Sequence, residues 1–139
     1  MDGRETIHAS TVAIEGRAVM IFGPSGAGKS DLALRLIDRG ATLVADDYTN
    51  LSRDGDTLVA SAPATIAGRI EVRGLGIVET RHVDDVPVAL TVDLGTDVPR
   101  MPEPSTMTIA GIAIRRVALN PRPASAPLLV ELALRYALP

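Results

Sequence analysis

Gly23-Pro24-Ser25-Gly26-Ala27-Gly28-Lys29-Ser30 matches G-x-x-x-x-G-K-[ST] at every position. The octet stands between an apolar run, Ala18 to Phe22, and a helical pattern that begins at Ser30. That is the strand-loop-helix setting of a phosphate loop. Glycines there let successive backbone N–H groups turn inward around phosphate oxygens, and the N-terminus of the following helix adds partial positive charge. Lys29 is then placed for the β- and γ-phosphates of a nucleotide such as ATP, and the Ser30 hydroxyl for Mg²⁺. A Gly-rich turn that binds nothing is the competing explanation, and a complete motif in the right setting disfavours it.

Outward from the octet, Thr11 to Ile14 and Ala18 to Phe22 are strand-like runs joined by Glu15-Gly16-Arg17, so the chain is expected to open as a β-hairpin. After the octet, Leu32, Ala33, Leu36 and Ile37 recur at helical spacing and Gly40 stands where a C-terminal cap is expected. Leu43-Val44-Ala45 reads as a buried strand, and Tyr48 to Ser52 with Thr57 to Ala60 as a second hairpin. Strand, helix and strand in that order suggest a βαβ unit. Val88 to Leu94 and Ile112 to Leu119 predict further strands, and Leu128 to Leu138 a closing helix. Ser61 to Gly68, Asp97 to Ser105 and Pro121 to Pro127 read as loops. The expected class is α/β, a mainly β sheet with few helices.

With 139 residues the chain is expected to form one domain, 1–139, because two independent cores would each bury too little surface. Apolar residues at 46% and charged residues at 22% argue against a disordered chain. The aromatic residues are Phe22, Tyr48 and Tyr136, so the core must be aliphatic and base stacking has little to stand on. A net charge of −3 supplies no field for a phosphate backbone, and nucleic acid is not expected as a partner. The absence of cysteine excludes disulfides and thiolate metal sites. No apolar run approaches the roughly 18 residues of a membrane span. A soluble, cytoplasmic protein with no membrane partner is the expectation.

Asp46 and Asp47 follow the Leu43-Val44-Ala45 strand. Acid at such a strand end, beside a phosphate loop, is placed to meet the metal or to activate a nucleophile. Adjacent residues at a strand end point in different directions, so one carboxylate could face the metal and the other an acceptor hydroxyl as general base. A solvated turn would suit the same pair. In Ile70-Glu71-Val72-Arg73-Gly74-Leu75-Gly76-Ile77-Val78, alternation of period 2 puts Glu71 and Arg73 on one face, an acid and a base for one phosphate site. A surface pair on a strand is the alternative there. His8, taken by itself, suits a structural histidine as well as a catalyst.

Three segments in order, Gly23 to Ser30, Leu43-Val44-Ala45-Asp46-Asp47 and Ile70 to Val78, together with His8 and the first hairpin, resemble the HPr kinase/phosphorylase family. That family is similar in its nucleotide core to the phosphoenolpyruvate carboxykinases. The resemblance spans most of Thr6 to Glu79. It implies a P-loop kinase domain that moves phosphate from ATP or another donor to a serine of the phosphocarrier protein HPr, and removes it again with inorganic phosphate. It further implies that Lys29 binds the β- and γ-phosphates, that Ser30 and Glu71 hold Mg²⁺, and that Asp47 is the base, with Asp46 beside it. His8 corresponds to the family's active-site histidine, and the family arginine falls on Arg100 in Val98-Pro99-Arg100-Met101-Pro102. The chain resembles the short form without an added N-terminal domain, and a homo-oligomer stays open. Pro121 to Pro127 lacks the Gly-Arg-Asn of the family's dephosphorylation loop, so the reverse reaction is expected to be weak. A kinase for a small hydroxyl compound, and a non-catalytic nucleotide-sensing module, remain alternatives.

Overall fold

A computed structural model describes residues 4–95 and 97–136. Along them run Glu5–His8 (β1), Ser10–Ile14 (β2), Arg17–Phe22 (β3), Lys29–Asp38 (α1), Thr42–Ala45 (β4), Tyr48–Asp54 (β5) and Thr57–Ser61 (β6). Then follow Arg69–Val72 (β7), Gly76–Glu79 (β8), Val86–Asp93 (β9), Ser105–Ile109 (β10), Ile112–Ala118 (β11) and Ala126–Arg135 (α2).

The β2–β3 hairpin forms as its sequence predicts, through the two-residue turn Glu15-Gly16. Both strands are buried on two faces, which explains their nearly unbroken apolar runs. Along β3, Val19 and Ile21 join Leu32, Leu36 and Val130 in one core layer, while Ala18 and Met20 join Leu51, Leu58 and Ile114 in the other. Period-2 alternation thus splits one strand between a helix-covered layer and a layer enclosed by strands. α1 stops where Gly40 takes φ 110°, which lets the Gly40 and Ala41 N–H groups close on the Ile37 and Leu36 carbonyls at 3.0 Å each.

The sheet runs β1-β5-β6-β9-β3-β2-β4 and forks at β9. Val86 and Pro87 pair with β6, whereas Thr91 to Asp93 pair in parallel with β11, which carries β10 as a hairpin partner. On its other edge β9 runs parallel to β3. β7 and β8 form a separate two-stranded ribbon. Among the described residues no helix is long and apolar enough to cross a membrane.

Several sequence expectations need correction. The hairpin is not the first element, because β1 precedes it and pairs with β5, Ile7 opposite Thr49 and His8 opposite Tyr48. β3 and β4 are parallel ends of a crossover, but β2 lies between them and bonds to both. Ile70 to Val78 is a hairpin, with Arg73 to Leu75 in its turn, so Arg73 is off the strand that carries Glu71. β10 starts at Ser105, beyond the proline-rich stretch, and is held by β11 rather than by strong strand propensity of its own. α2 starts at Ala126, two residues early, because Pro127 fits a first helical turn, where a missing N–H costs nothing. The expected end of that helix at Leu138 lies outside the described residues.

Candidate phosphate-binding and transfer site

The site gathers where the chain leaves β3 and β4 and enters β2. The phosphate loop connects β3 to α1, and Gly28, the residue before the helix, has φ 104°, a left-handed conformation that a side chain would strain. Lys29 opens the helix with its side chain folded back across the loop, Nζ donating to the Gly23 carbonyl at 2.7 Å and the Pro24 carbonyl at 3.2 Å. The Ala27 N–H closes the turn on the Pro24 carbonyl at 3.0 Å. An ammonium over a loop of glycines, at the N-terminus of a ten-residue helix, is a setting that favours an anion.

The two aspartates have separate surroundings. Asp46 is buried, and its Oδ1 accepts hydrogen bonds from Ser30 Oγ at 2.6 Å and Ser10 Oγ at 2.9 Å, while its Oδ2 accepts the Glu71 N–H at 2.9 Å. It therefore ties together the phosphate loop, β2 and β7. Asp47 is exposed, has φ 68°, and its Oδ1 meets His8 Nε2 at 2.7 Å. The His8 ring also lies 5.1 Å from the Tyr48 ring, so β1 and the start of β5 fix its position.

A cleft of about 530 Å³ opens over these groups. Of the residues singled out in the sequence, Ser25, Gly26, Gly28, Lys29, Ser30, Asp47, Glu71 and Arg73 line it. Gly23, Pro24 and Ala27 shape the loop beneath, and Asp46 and His8 act on lining residues from behind. Arg100 is exposed and is not among the residues that line the cleft. Sequence reasoning missed Asp31, Leu34 and Val72, which line the cleft, and Ser10, which binds both aspartates. Leu34 had a signal: it is a leucine off the Leu32/Leu36 stripe of α1. Ser10 had none beyond being a polar residue before an apolar run.

The donor set suits Mg²⁺. Ser30 and Glu71 offer oxygen ligands, and among the described residues no three His, Cys, Asp or Glu side chains gather into a metal cage. Mg²⁺ usually takes one or two protein oxygens and fills its shell with water and substrate phosphates, unlike a caged metal.

A phosphate loop following β3, an acid pair following the parallel strand β4 and an open polar cleft define a phosphate-loop domain. Its family follows from comparison with known proteins. Residues 1–85 match the model of the HPr Serine kinase C-terminal domain. The chain is 43% identical over 81 residues to the HPr kinase/phosphorylase of Levilactobacillus brevis, covering 58% of this chain and 26% of that protein. With the HPr kinase/phosphorylase of Bacillus licheniformis it shares 49% identity over 73 residues, 52% of this chain and 24% of that one. The solved structure of the Hpr(Ser) kinase/phosphatase from Coxiella burnetii superposes with a TM-score of 0.81 at 31% identity, covering 94% of each chain. This chain belongs to the HPr serine kinase C-terminal domain family. It spans about a quarter of the length of the curated relatives it matches.

Proposed function

We propose that this domain transfers the γ-phosphoryl group of ATP to a serine hydroxyl of the phosphocarrier protein HPr, with Mg²⁺ as cofactor. The observation that carries the reading is the division of labour between the aspartates: Asp46 bonds to Ser30 of the phosphate loop, while Asp47 faces the cleft against His8. The family gives the acceptor class, since the relatives matched are HPr kinases.

In this mechanism the loop amides and Lys29 hold the β- and γ-phosphates, which requires the lysine to exchange the Gly23 and Pro24 carbonyls for phosphate oxygens. The Ser30 hydroxyl and the Glu71 carboxylate would hold Mg²⁺, which when bound would neutralise phosphate charge. Asp46 orients the Ser30 hydroxyl through the 2.6 Å hydrogen bond. Asp47 takes the proton of the incoming serine as its Oγ bonds to the γ-phosphorus, and the bridging P–O bond breaks with its electron pair going to ADP. His8 orients the Asp47 carboxylate. Arg73, in the β7–β8 turn, stands at the cleft wall as the cation for an additional phosphoryl charge. Arg100 has no part in the proposal. HPr and ATP as substrates imply work in the cytoplasm.

Purified protein incubated with labelled ATP, Mg²⁺ and HPr tests the reading, with serine-free HPr as control. Label on HPr that vanishes in the control is the expected result. Label on neither sinks it, and label passing instead to a small hydroxyl compound redirects it to the small-molecule alternative.

A further inference from the structure

Ser10 has no place in the mechanism above, yet it is fully buried at the start of β2, within reach of both aspartates. Its Oγ donates to Asp46 Oδ1 at 2.9 Å and accepts the Asp47 N–H at 3.0 Å. A hydroxyl has one proton and two lone pairs, so both bonds form at once. The Asp47 backbone that it holds is left-handed, φ 68°, which is uncommon for a residue with a side chain and persists where neighbours over-determine it. On the same Asp46 oxygen lies Ser30 Oγ, and on the other the Glu71 N–H. One buried hydroxyl thus connects the phosphate-loop side of the site to the side that faces the acceptor.

We infer that Ser10 is a positioning residue: by bridging the Asp46 carboxylate and the Asp47 N–H it locks the left-handed turn that aims the Asp47 carboxylate at His8 and the cleft. The kinetic half of this inference rests on the proposed role of Asp47 as base; the conformational half does not. Removing the hydroxyl leaves the Asp47 N–H without its acceptor, so that the Asp46-Asp47 peptide keeps the Tyr48 N–H on the Asp46 carbonyl at 2.7 Å but loses its anchor to β2. Displacement of a reacting group by about an ångström is enough to cost roughly 10²-fold in rate.

Two measurements test it on the full chain. The first is the imidazole ¹H–¹⁵N spectrum, where His8 and His82, the two histidines of the sequence, serve as probe and internal reference. Ser10→Ala is expected to move the His8 signals and leave those of His82, and Ser10→Thr, which keeps the hydroxyl, to retain the wild-type His8 signals. Unmoved His8 signals in folded Ser10→Ala overturn the inference. The second is transfer kinetics. Ser10→Ala is expected to lower kcat by about 10-fold or more while KM for ATP changes by less than about twofold. In an Asp47→Asn background the same substitution should change kcat by less than about twofold, because it acts through Asp47. Equal losses in both backgrounds overturn the positioning role and leave the phosphotransfer reading standing. Wild-type kcat in Asp47→Asn itself overturns the base assignment, and the kinetic role of Ser10 with it. If Ser10→Ala does not fold, Ser10→Cys, with its weaker donor and acceptor, replaces it with the same expected outcomes.

Discussion

The segment from Gly23 to Asp47 and the segment from Asp97 to Tyr136 are built on different principles. In the first, the phosphate loop and α1 take their geometry from neighbours in sequence: Lys29 bonds to carbonyls five and six residues back, and α1 is closed by its own Gly40. In the second, distant arginines do the holding. Arg35 of α1 donates to the Pro121 carbonyl at 2.6 Å and the Pro123 carbonyl at 3.3 Å. Arg115 of β11 catches the Ala133 and Tyr136 carbonyls, and Arg17 of β3 the Leu134 carbonyl at 3.2 Å. These oxygens belong to the last turn of α2, where a helix has no partners of its own and a cation is favoured. Arg39 adds hydrogen bonds to Glu131, and these bonds, reinforced by the carboxylate charge, raise the guanidinium pKa above its ordinary value. The difference teaches that the phosphate loop and its helix are encoded locally, whereas the C-terminal segment is braced from afar. The family match, which ends at residue 85, covers the encoded part and stops before the brace.

If that contrast holds, substitutions in the first segment should remove chemistry and spare the fold, and those in the second should do the reverse. The largest effect is expected from Lys29→Ala: transfer to HPr falls roughly 10³-fold, the size of losing a fixed donor at developing charge, while the melting temperature drops by a few degrees at most. Unchanged transfer in that variant would defeat the phosphate-loop mechanism. Asp47→Asn comes next, with transfer down roughly 10²-fold and binding of ATP, followed by titration calorimetry, close to wild type. Should Asp46→Asn show this pattern and Asp47→Asn not, the roles within the pair are exchanged. In the brace, Val130→Ala empties part of the layer under α2 and is expected to lower unfolding stability by about 2 kcal/mol in denaturant titration, with kcat unaltered. A matching fall in kcat would show that α2 is coupled to the site. The smallest effect is expected for Glu131→Gln, a modest fall in melting temperature, since Arg39 remains partly exposed to solvent. Because the shift of Arg39 is upward, the contribution of the pair from its side is complete at neutral pH and is lost only as pH rises through the raised value. A melting temperature that falls between pH 6 and pH 8 in wild type but not in Glu131→Gln would contradict this.

Much of the site was legible because its parts are short and chemically unambiguous. The octet, the acid pair after an apolar strand and Glu71 each carry their signal in a few residues. β1 was not legible, since Glu5 to His8 has no apolar alternation and owes its conformation to pairing with β5. The side-by-side position of His8 and Asp47 was therefore out of reach from periodicity, although the family resemblance nominated both. Arg100 is the opposite case: the family resemblance nominated it, and it is not among the residues that line the cleft.

By itself the sequence determined the phosphate loop, α1 with its glycine cap, the β2–β3 hairpin and the identity of the acids, because these follow from local backbone preference and from side-chain chemistry that is the same in any fold. Only the tertiary structure decided which aspartate faces which partner. That depends on Ser10, Ser30 and Glu71 arriving at Asp46 from three separate elements, and on His8 arriving at Asp47 from a fourth. Hydrogen bonds between groups up to 39 residues apart are set by strand order and register, which no short window of sequence contains.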